Sequence, residues 1–365
     1  MAFAFTLEQR DLADGVAALL DDRATGAYAR GVLTGKADWH DLWREVTELG
    51  IAAIAVPEER GGLGLGAIEL VAVCEAAGRY LVPAPLVATA GWFVPLVVAA
   101  VENGGPAEDE LAARLDLIVG AGGAATLGYV DPFVASGSIT LAGDSLTVAD
   151  LLVADAERVD QIAFFVADGS GGQIAVVDVT ALRVTAEEGL DPTRPLARVA
   201  GDSLPAIAAK LGPDALAVPL LAAAAELVGV ADAMLAMATR YAGEREQFGV
   251  KIGTFQGVKH RLADALLSLE RARSLTYRGA VLADSDDRGG AGLLTAARLA
   301  KAAAADAASE VARISVQVHG GVGVTAEHDV SLFFLRARQA SMQLGGRDGH
   351  YAAAARSLVA AGSIG

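Results

Sequence analysis

The spacing of apolar and polar residues changes twice along this chain. Helical spacing dominates the first third, beginning at a capping-box pattern in which Thr6 is followed three residues later by Gln9. The pattern predicts helices over about 6–22, 38–49 and 70–79, joined by glycine-rich loops. The first third of the chain is therefore predicted to be helical.

From about residue 124 the apolar runs become short, and glycine-containing turns separate them. Runs at 138–141, 162–166 and 174–179 predict β-strands, with turns at Gly143-Asp144 and Asp168-Gly169. Helical spacing returns near Pro213 and predicts four long helices, over about 220–242, 255–269 and 291–318 and from about His328 onward.

This order predicts a mainly α member of the α+β class. An N-terminal helical domain (1–123) would be followed by a small middle β-domain (124–211) and a C-terminal four-helix bundle (212–365).

Charge and composition narrow the function classes. The net charge is −16, which disfavours binding to nucleic-acid phosphates, so a cytoplasmic protein without a nucleic-acid partner is expected. The uncharged stretch 81–101 has the length of a membrane span, but it contains three prolines, so it is interpreted as buried core and no membrane partner is expected.

The single cysteine, Cys74, excludes an internal disulfide and is expected to be buried. The five histidines lack the spacing of metal ligands, so no metal is expected.

Two segments of the bundle carry candidate binding chemistry. The first contains Arg245, Gln247, Phe248, Ile252 and Gln256 between two predicted helices. An arginine fork, neutral donors and a helix N-terminus together suit a pyrophosphate. An ordinary turn with a surface salt bridge explains the same residues equally well.

The second segment contains Gln317, Gly320 and Gly321, followed by Gly323, at the end of a long helix. A simple helix stop needs one glycine. Three glycines within four positions favour a backbone that a ligand approaches closely.

At these two segments the chain resembles the acyl-CoA dehydrogenase family, and the helix–β–helix order and the 57–66 loop resemble it as well. The resemblance implies FAD as cofactor and acyl-CoA as substrate. It also implies that residues from both segments hold the ADP half of FAD across a subunit interface: Arg245, Gln247, Phe248, Ile252, Gln256, Gln317, Gly320 and Gly321.

The chain departs from the family where the catalytic glutamate is expected. The two positions that carry this base in the family correspond here to Gly345 and Pro219, and neither residue can accept a proton. Glu226 lies nearby, but a salt bridge within the bundle is its expected role. The middle β-domain also lacks the family's tryptophan, which puts its contacts to the flavin ring in doubt.

These departures favour one hypothesis over two others. The chain is expected to be a subunit that contributes FAD contacts and pairs with a homologous catalytic subunit in an α2β2 assembly, as in bacterial steroid side-chain degradation; a homotetramer is the other assembly considered. The first alternative is a self-sufficient oxidase or monooxygenase of the same fold. The second is a flavin-free structural partner.

Overall fold

The structure is a computed structural model that describes residues 5–24, 26–131, 137–168, 171–285, 292–325 and 327–362. Helices, strands and helices follow one another in the predicted order, which confirms the predicted fold class. The exact division into domains at 123 and 211 stays a prediction.

Six helices form the N-terminal part: α1 Leu7–Arg23, α2 Gly26–Leu33, α3 Trp39–Glu48, α4 Ala67–Arg79, α5 Val94–Glu102 and α6 Glu108–Ala121. The predicted capping box is present, because the Gln9 N–H donates to the Thr6 hydroxyl at 3.2 Å and the Thr6 N–H donates to the Gln9 side chain at 3.1 Å. The short helix α2 was not predicted. Cys74 is buried within α4, as expected.

The uncharged stretch 81–101 forms core. Residues 81–94 are all buried, and a π-helical segment, Val87–Phe93, leads into α5. Pro95 lies where the π-helical segment passes into α5, and the helix continues through it.

Eight strands form two four-stranded sheets within the predicted middle segment. The strands are β1 Ala125–Tyr129, β2 Ser138–Ala142, β3 Ser145–Ala154, β4 Gln161–Val166, β5 Gly172–Asp178, β6 Arg183–Glu187, β7 Leu196–Pro205 and β8 Ile207–Leu211. One sheet has the order β1-β4-β5-β8 and the other β2-β3-β7-β6, and β1–β4 is the parallel pair. The turn at Gly143-Asp144 joins β2 to β3 as predicted. Gly169, of the second predicted turn, lies outside the described residues.

The C-terminal part contains α7 Ala217–Glu244, the short strands β9 Glu246–Gln247 and β10 Val250–Lys251, α8 Gln256–Ala283, α9 Gly292–His319, α10 Asp329–Ala340 and α11 Arg347–Ala360. The predicted fourth helix is thus two helices. It breaks at 341–346 because Leu344 and Gly345 adopt left-handed backbone angles, with φ of 55° and 104°. The predicted start of α9 at Ala291 lies outside the described residues.

Helix α7 is the centre of the fold and packs against both α4 and α9. It is long and apolar enough to cross a membrane, but 78% of its most apolar window is buried inside the protein. Two glycines bring α4 and α7 together: a Cβ added at Gly78 would lie 2.1 Å from the Glu226 carbonyl oxygen, and one at Gly229 would lie 1.9 Å from that of Glu75. The two helix backbones therefore touch directly.

Candidate functional site

The α7–α8 connection is an exposed hairpin. Arg245 ends α7, and β9 pairs with β10 around Phe248 and Gly249, whose φ angles of 55° and 78° make the tight turn. Phe248 is 93% exposed and contacts only the edge of the Phe255 ring, at 6.3 Å between centroids, among the described aromatic residues. An apolar side chain held out in this way offers a flat face to a molecule outside the protomer.

The polar residues predicted in this connection are also exposed. Arg245, Gln247 and Gln256 lie at the surface, and Ile252 is half-buried beneath them. Within the described ranges the Arg245 guanidinium has no carboxylate partner, so the structure does not bear out a surface salt bridge at this arginine. Gln247 donates to the Glu246 carbonyl at 2.8 Å. The guanidinium fork is thus available for an anion.

The second predicted segment begins where α9 ends. Gly320 has a φ of 64°, which is the left-handed angle of a helix stop, and Gly323 packs on His319 so closely that a Cβ would lie 2.9 Å away. A Cβ at Gly320 or Gly321 would meet open space. Gln317 is exposed beside them. A helix stop explains Gly320, and packing explains Gly323, but neither explains Gly321.

The two segments lie at the same end of the bundle. α7 and α9 run in the same direction, and the ring of Tyr241 near the end of α7 stacks on His319 at the end of α9, with 4.6 Å between centroids. The structure therefore brings together two segments that are about 70 residues apart in the chain.

The surroundings of Gly345 are closed to a carboxylate side chain. A Cβ at Gly345 would lie 2.9 Å from Nε2 of the buried His350, and the φ of 104° disfavours any side chain. His350 Nε2 in turn lies 3.0 Å from the Leu344 carbonyl oxygen. Burial, with a smaller contribution from the charge of Lys301, lowers the pKa of His350 to about 4, so the imidazole is neutral at pH 7.

A buried lysine lies beside the same connection. The Lys301 ammonium, on α9, donates to the carbonyl oxygens of Ser341 at 3.1 Å and Gly345 at 3.5 Å. Burial lowers the pKa of Lys301 to about 7. The connection is held from its other side by Asp131, which accepts from the Gly346 N–H at 3.0 Å. Sequence reasoning did not single out Lys301, although its position within an alanine-rich apolar run could have indicated a buried lysine.

Pro219, the other family position for the base, lies buried in the first turn of α7 and carries no titratable group. Glu226 forms the predicted salt bridge, and in fact forms two. Its carboxylate oxygens lie 2.7 Å from Arg194 and 3.0 Å from Arg336, and all three residues are buried. Burial alone would raise the pKa of Glu226, but the two arginines hold it below its ordinary value. This ionised, fully engaged carboxylate is a poor proton acceptor.

A cleft of about 350 Å³ lies between the β-strands and the α10–α11 connection. We call it the domain cleft; the residues that line it include Trp92, Leu127, Tyr129, Asp131, Leu152, Glu188, Met342, Gln343 and Gly345. Trp92 Nε1 and Gln343 Nε2 are buried there and have no acceptor among the described residues. Since buried donors are almost always satisfied, the cleft suits a largely apolar ligand with acceptor atoms.

The order of helices, strands and bundle, with two surface segments at one bundle end, is the architecture of acyl-CoA dehydrogenases. Family models for the acyl-CoA dehydrogenase N-terminal and C-terminal domains match residues 6–107 and 215–359. The chain therefore belongs to the acyl-CoA dehydrogenase family, an oxidoreductase family.

Curated relatives match over nearly the whole chain. "Acyl-CoA dehydrogenase IpdE2" of Mycolicibacterium smegmatis is 32% identical over 346 residues, covering 93% of this chain and 95% of the relative. "Acyl-CoA dehydrogenase FadE27" of Mycobacterium tuberculosis is 32% identical over 383 residues, covering 98% and 99%.

Two solved structures share the fold over 98% of this chain and 99% of theirs. A variant of the "Tcur3481-Tcur3483 steroid ACAD" superimposes with a TM-score of 0.83 at 28% identity. The ChsE4-ChsE5 complex from Mycobacterium tuberculosis superimposes with a TM-score of 0.84 at 26% identity.

Proposed function

We propose that this chain is one subunit of an FAD-dependent acyl-CoA dehydrogenase that desaturates an acyl-CoA thioester between its α and β carbons. A homologous subunit in an α2β2 assembly would supply the proton acceptor. The names of both similar structures identify pairs of chains, which supports a heteromeric partner over a homotetramer. One of them is named a steroid ACAD, which supports a bulky acyl group such as a steroid-CoA.

The observation that carries this proposal is the space around Gly345. Removing an α-proton requires a base within hydrogen-bond reach of the substrate. At Gly345 the backbone angle and His350 leave no room for a carboxylate side chain, and Pro219 has none. The chain therefore lacks the family's base at both positions.

The cofactor contacts of this chain would come from the bundle end. FAD, when bound, accepts the hydride that leaves the β-carbon. Arg245 would bind its pyrophosphate, since it has no carboxylate partner among the described residues. Phe248 would pack on its adenosine half, since its side chain projects outward. The other predicted contacts lie beside them: Gln247, Ile252, Gln256, Gln317, Gly320 and Gly321.

The cofactor role predicts that Arg245→Ala lowers the FAD content of the assembly because the pyrophosphate loses a charged donor. The chain would be co-expressed with an adjacent homologous subunit, and flavin absorbance would be measured per mole of complex. Arg183→Ala, at an exposed arginine on β6, is the matched control and is expected to keep full occupancy. Unchanged occupancy in Arg245→Ala, with the assembly intact, would contradict the cofactor role and favour a flavin-free structural partner.

A self-sufficient flavoprotein is the second candidate, because two carboxylates, Asp131 and Glu188, do line the domain cleft. Asp131 is engaged by the Gly346 N–H, and Glu188 is exposed. Purifying the chain alone decides between the two. A colourless, inactive chain that becomes yellow and active with its partner supports the subunit role. A yellow chain that acyl-CoA bleaches without a partner would overturn it.

A further inference from the structure

A second cavity, of about 310 Å³, lies on the other side of Gly345 from the domain cleft. We call it the arginine cavity; the residues that line it include Tyr129, Asp131, Arg298, Gly345, His350 and Arg356. The two cavities share Tyr129, Asp131 and Gly345. Neither Arg298 nor Arg356 lies in the two segments that are proposed to bind FAD.

The charges on the wall are unbalanced. Burial lowers the pKa of the half-buried Arg298, and the neighbouring Arg356 lowers it further, while Tyr129 opposes them; no carboxylate contributes. Among the described residues on this wall, Asp131 is the one acid, and it already accepts from the Gly346 N–H. Two guanidinium groups thus line one cavity against a single carboxylate.

A further cation lies behind the wall. Lys301 donates to the Gly345 carbonyl, and its charge and that of Arg298 both lower the pKa of His350 after the larger effect of burial. Such a cluster is unexpected in a chain of net charge −16. By contrast, the fully buried arginines, Arg194 and Arg336, are each bound to two carboxylates.

We propose that the arginine cavity binds a small oxyanion, of the carboxylate or phosphate class, through Arg298 and Arg356. Two guanidinium forks match the oxygen geometry of either group. The Tyr129 hydroxyl, which has no hydrogen-bond partner among the described residues, offers a third donor. Leu216, Leu220 and Ala353 leave an apolar wall for a short organic body.

The test is a titration of the purified assembly that contains this full chain. Succinate, butyrate, inorganic phosphate and coenzyme A would each be added at constant ionic strength set with chloride, and binding would be followed by thermal shift and calorimetry. Saturable binding of succinate, butyrate or phosphate is expected, and the arm that binds most tightly tells carboxylate from phosphate. Arg298→Gln and Arg356→Gln should each weaken it by about tenfold or more, while Arg183→Gln should not.

Three results would overturn the proposal. The first is the absence of saturable binding by any small anion, or equal binding in Arg298→Gln. The second is binding of coenzyme A alone, because the arginines would then serve only a CoA chain. The third is dissociation of the assembly in Arg298→Gln in chloride, observed by size-exclusion chromatography, because the arginine would then pair with an acid of another subunit. The first two results leave FAD occupancy unchanged, and the third is seen only in Arg298→Gln, so a failure here is distinguishable from a failure of the proposed cofactor role, which Arg245→Ala tests in an intact assembly.

Discussion

Lys301 is a buried lysine whose hydrogen bonds, within the part of the chain that the structure describes, go to the backbone carbonyl groups of Ser341 and Gly345. Its pKa is about 7 in the folded chain, against an ordinary value of 10.5, because burial disfavours the charged form. Between these two pH values the unfolded chain binds a proton that the folded chain releases. The contribution of Lys301 to stability therefore rises as pH increases from about 7 toward 10.5.

This linkage predicts that Lys301→Met reduces the gain in unfolding free energy between pH 7.0 and pH 9.5. Urea unfolding at both pH values and at one protein concentration measures the gain. Lys36→Met, at an exposed lysine, is the control and should keep the gain of the unaltered chain. A gain of the same size in Lys301→Met would show that the lysine titrates normally.

At the scale of single residues, the sequence predicted which residue forms a salt bridge better than it predicted the residues that pair with it. Glu226 was expected to form a salt bridge, but its partners, Arg194 and Arg336, lie 32 and 110 residues away. No local pattern encodes such distances, because these contacts depend on how the β-strands pack on the bundle. The exposure of Phe248 and the lack of space around Gly345 likewise could not be predicted without the three-dimensional structure.

Helix α4 and helix α7 touch through Gly78 and Gly229, and a side chain at either position meets backbone oxygen. Gly229→Ala is therefore expected to destabilise the protein by about 1–3 kcal/mol, because the helices must separate. Thermal unfolding measures the effect.

Gly15 provides the matched control for this prediction. It is an exposed glycine within α1, and nothing lies within 4 Å of an added Cβ. Gly15→Ala should stabilise the protein by roughly 0.5–1 kcal/mol through helix propensity alone. Stabilisation by Gly229→Ala as well would mean that the close helix contact is absent in solution.

At the scale of elements, long periodic helices were predictable and irregular ones were not. α7, α8 and α9 follow from apolar spacing alone, whereas the break between α10 and α11 requires the left-handed backbone at 344–345. The Gly345-Gly346 pair was the local signal for that break. Five of the eight middle strands were not predicted. One of them, β6, has a single half-buried residue and is otherwise exposed, so the burial of its residues does not alternate clearly.

At the scale of the whole molecule, Phe248, Val250 and Phe255 form an exposed apolar projection at the bundle end. If another subunit covers this projection, Phe248→Asn should weaken assembly by about thirtyfold, the cost of removing a strong interface contact. Asparagine tolerates the left-handed angle at this position, so the protomer itself should fold normally.

Sedimentation over a range of protein concentrations measures this effect. Leu7→Ser, which removes another exposed apolar side chain far along the sequence, should leave assembly unchanged. Unaltered association of Phe248→Asn would mean that the projection does not face another subunit.

The position of α7 in the fold also determines when its core can form during synthesis. Its neighbours are α4, made before the β-strands, and α9, made after it. At ~5–20 residues per second, a ribosome needs on the order of ten seconds to go from the end of α7 to the end of α9. During that time the nascent chain carries an apolar helix of membrane-spanning length whose α9-facing side is uncovered. Cellular yield should therefore depend on chaperones that bind translating chains, and slower translation should lower it.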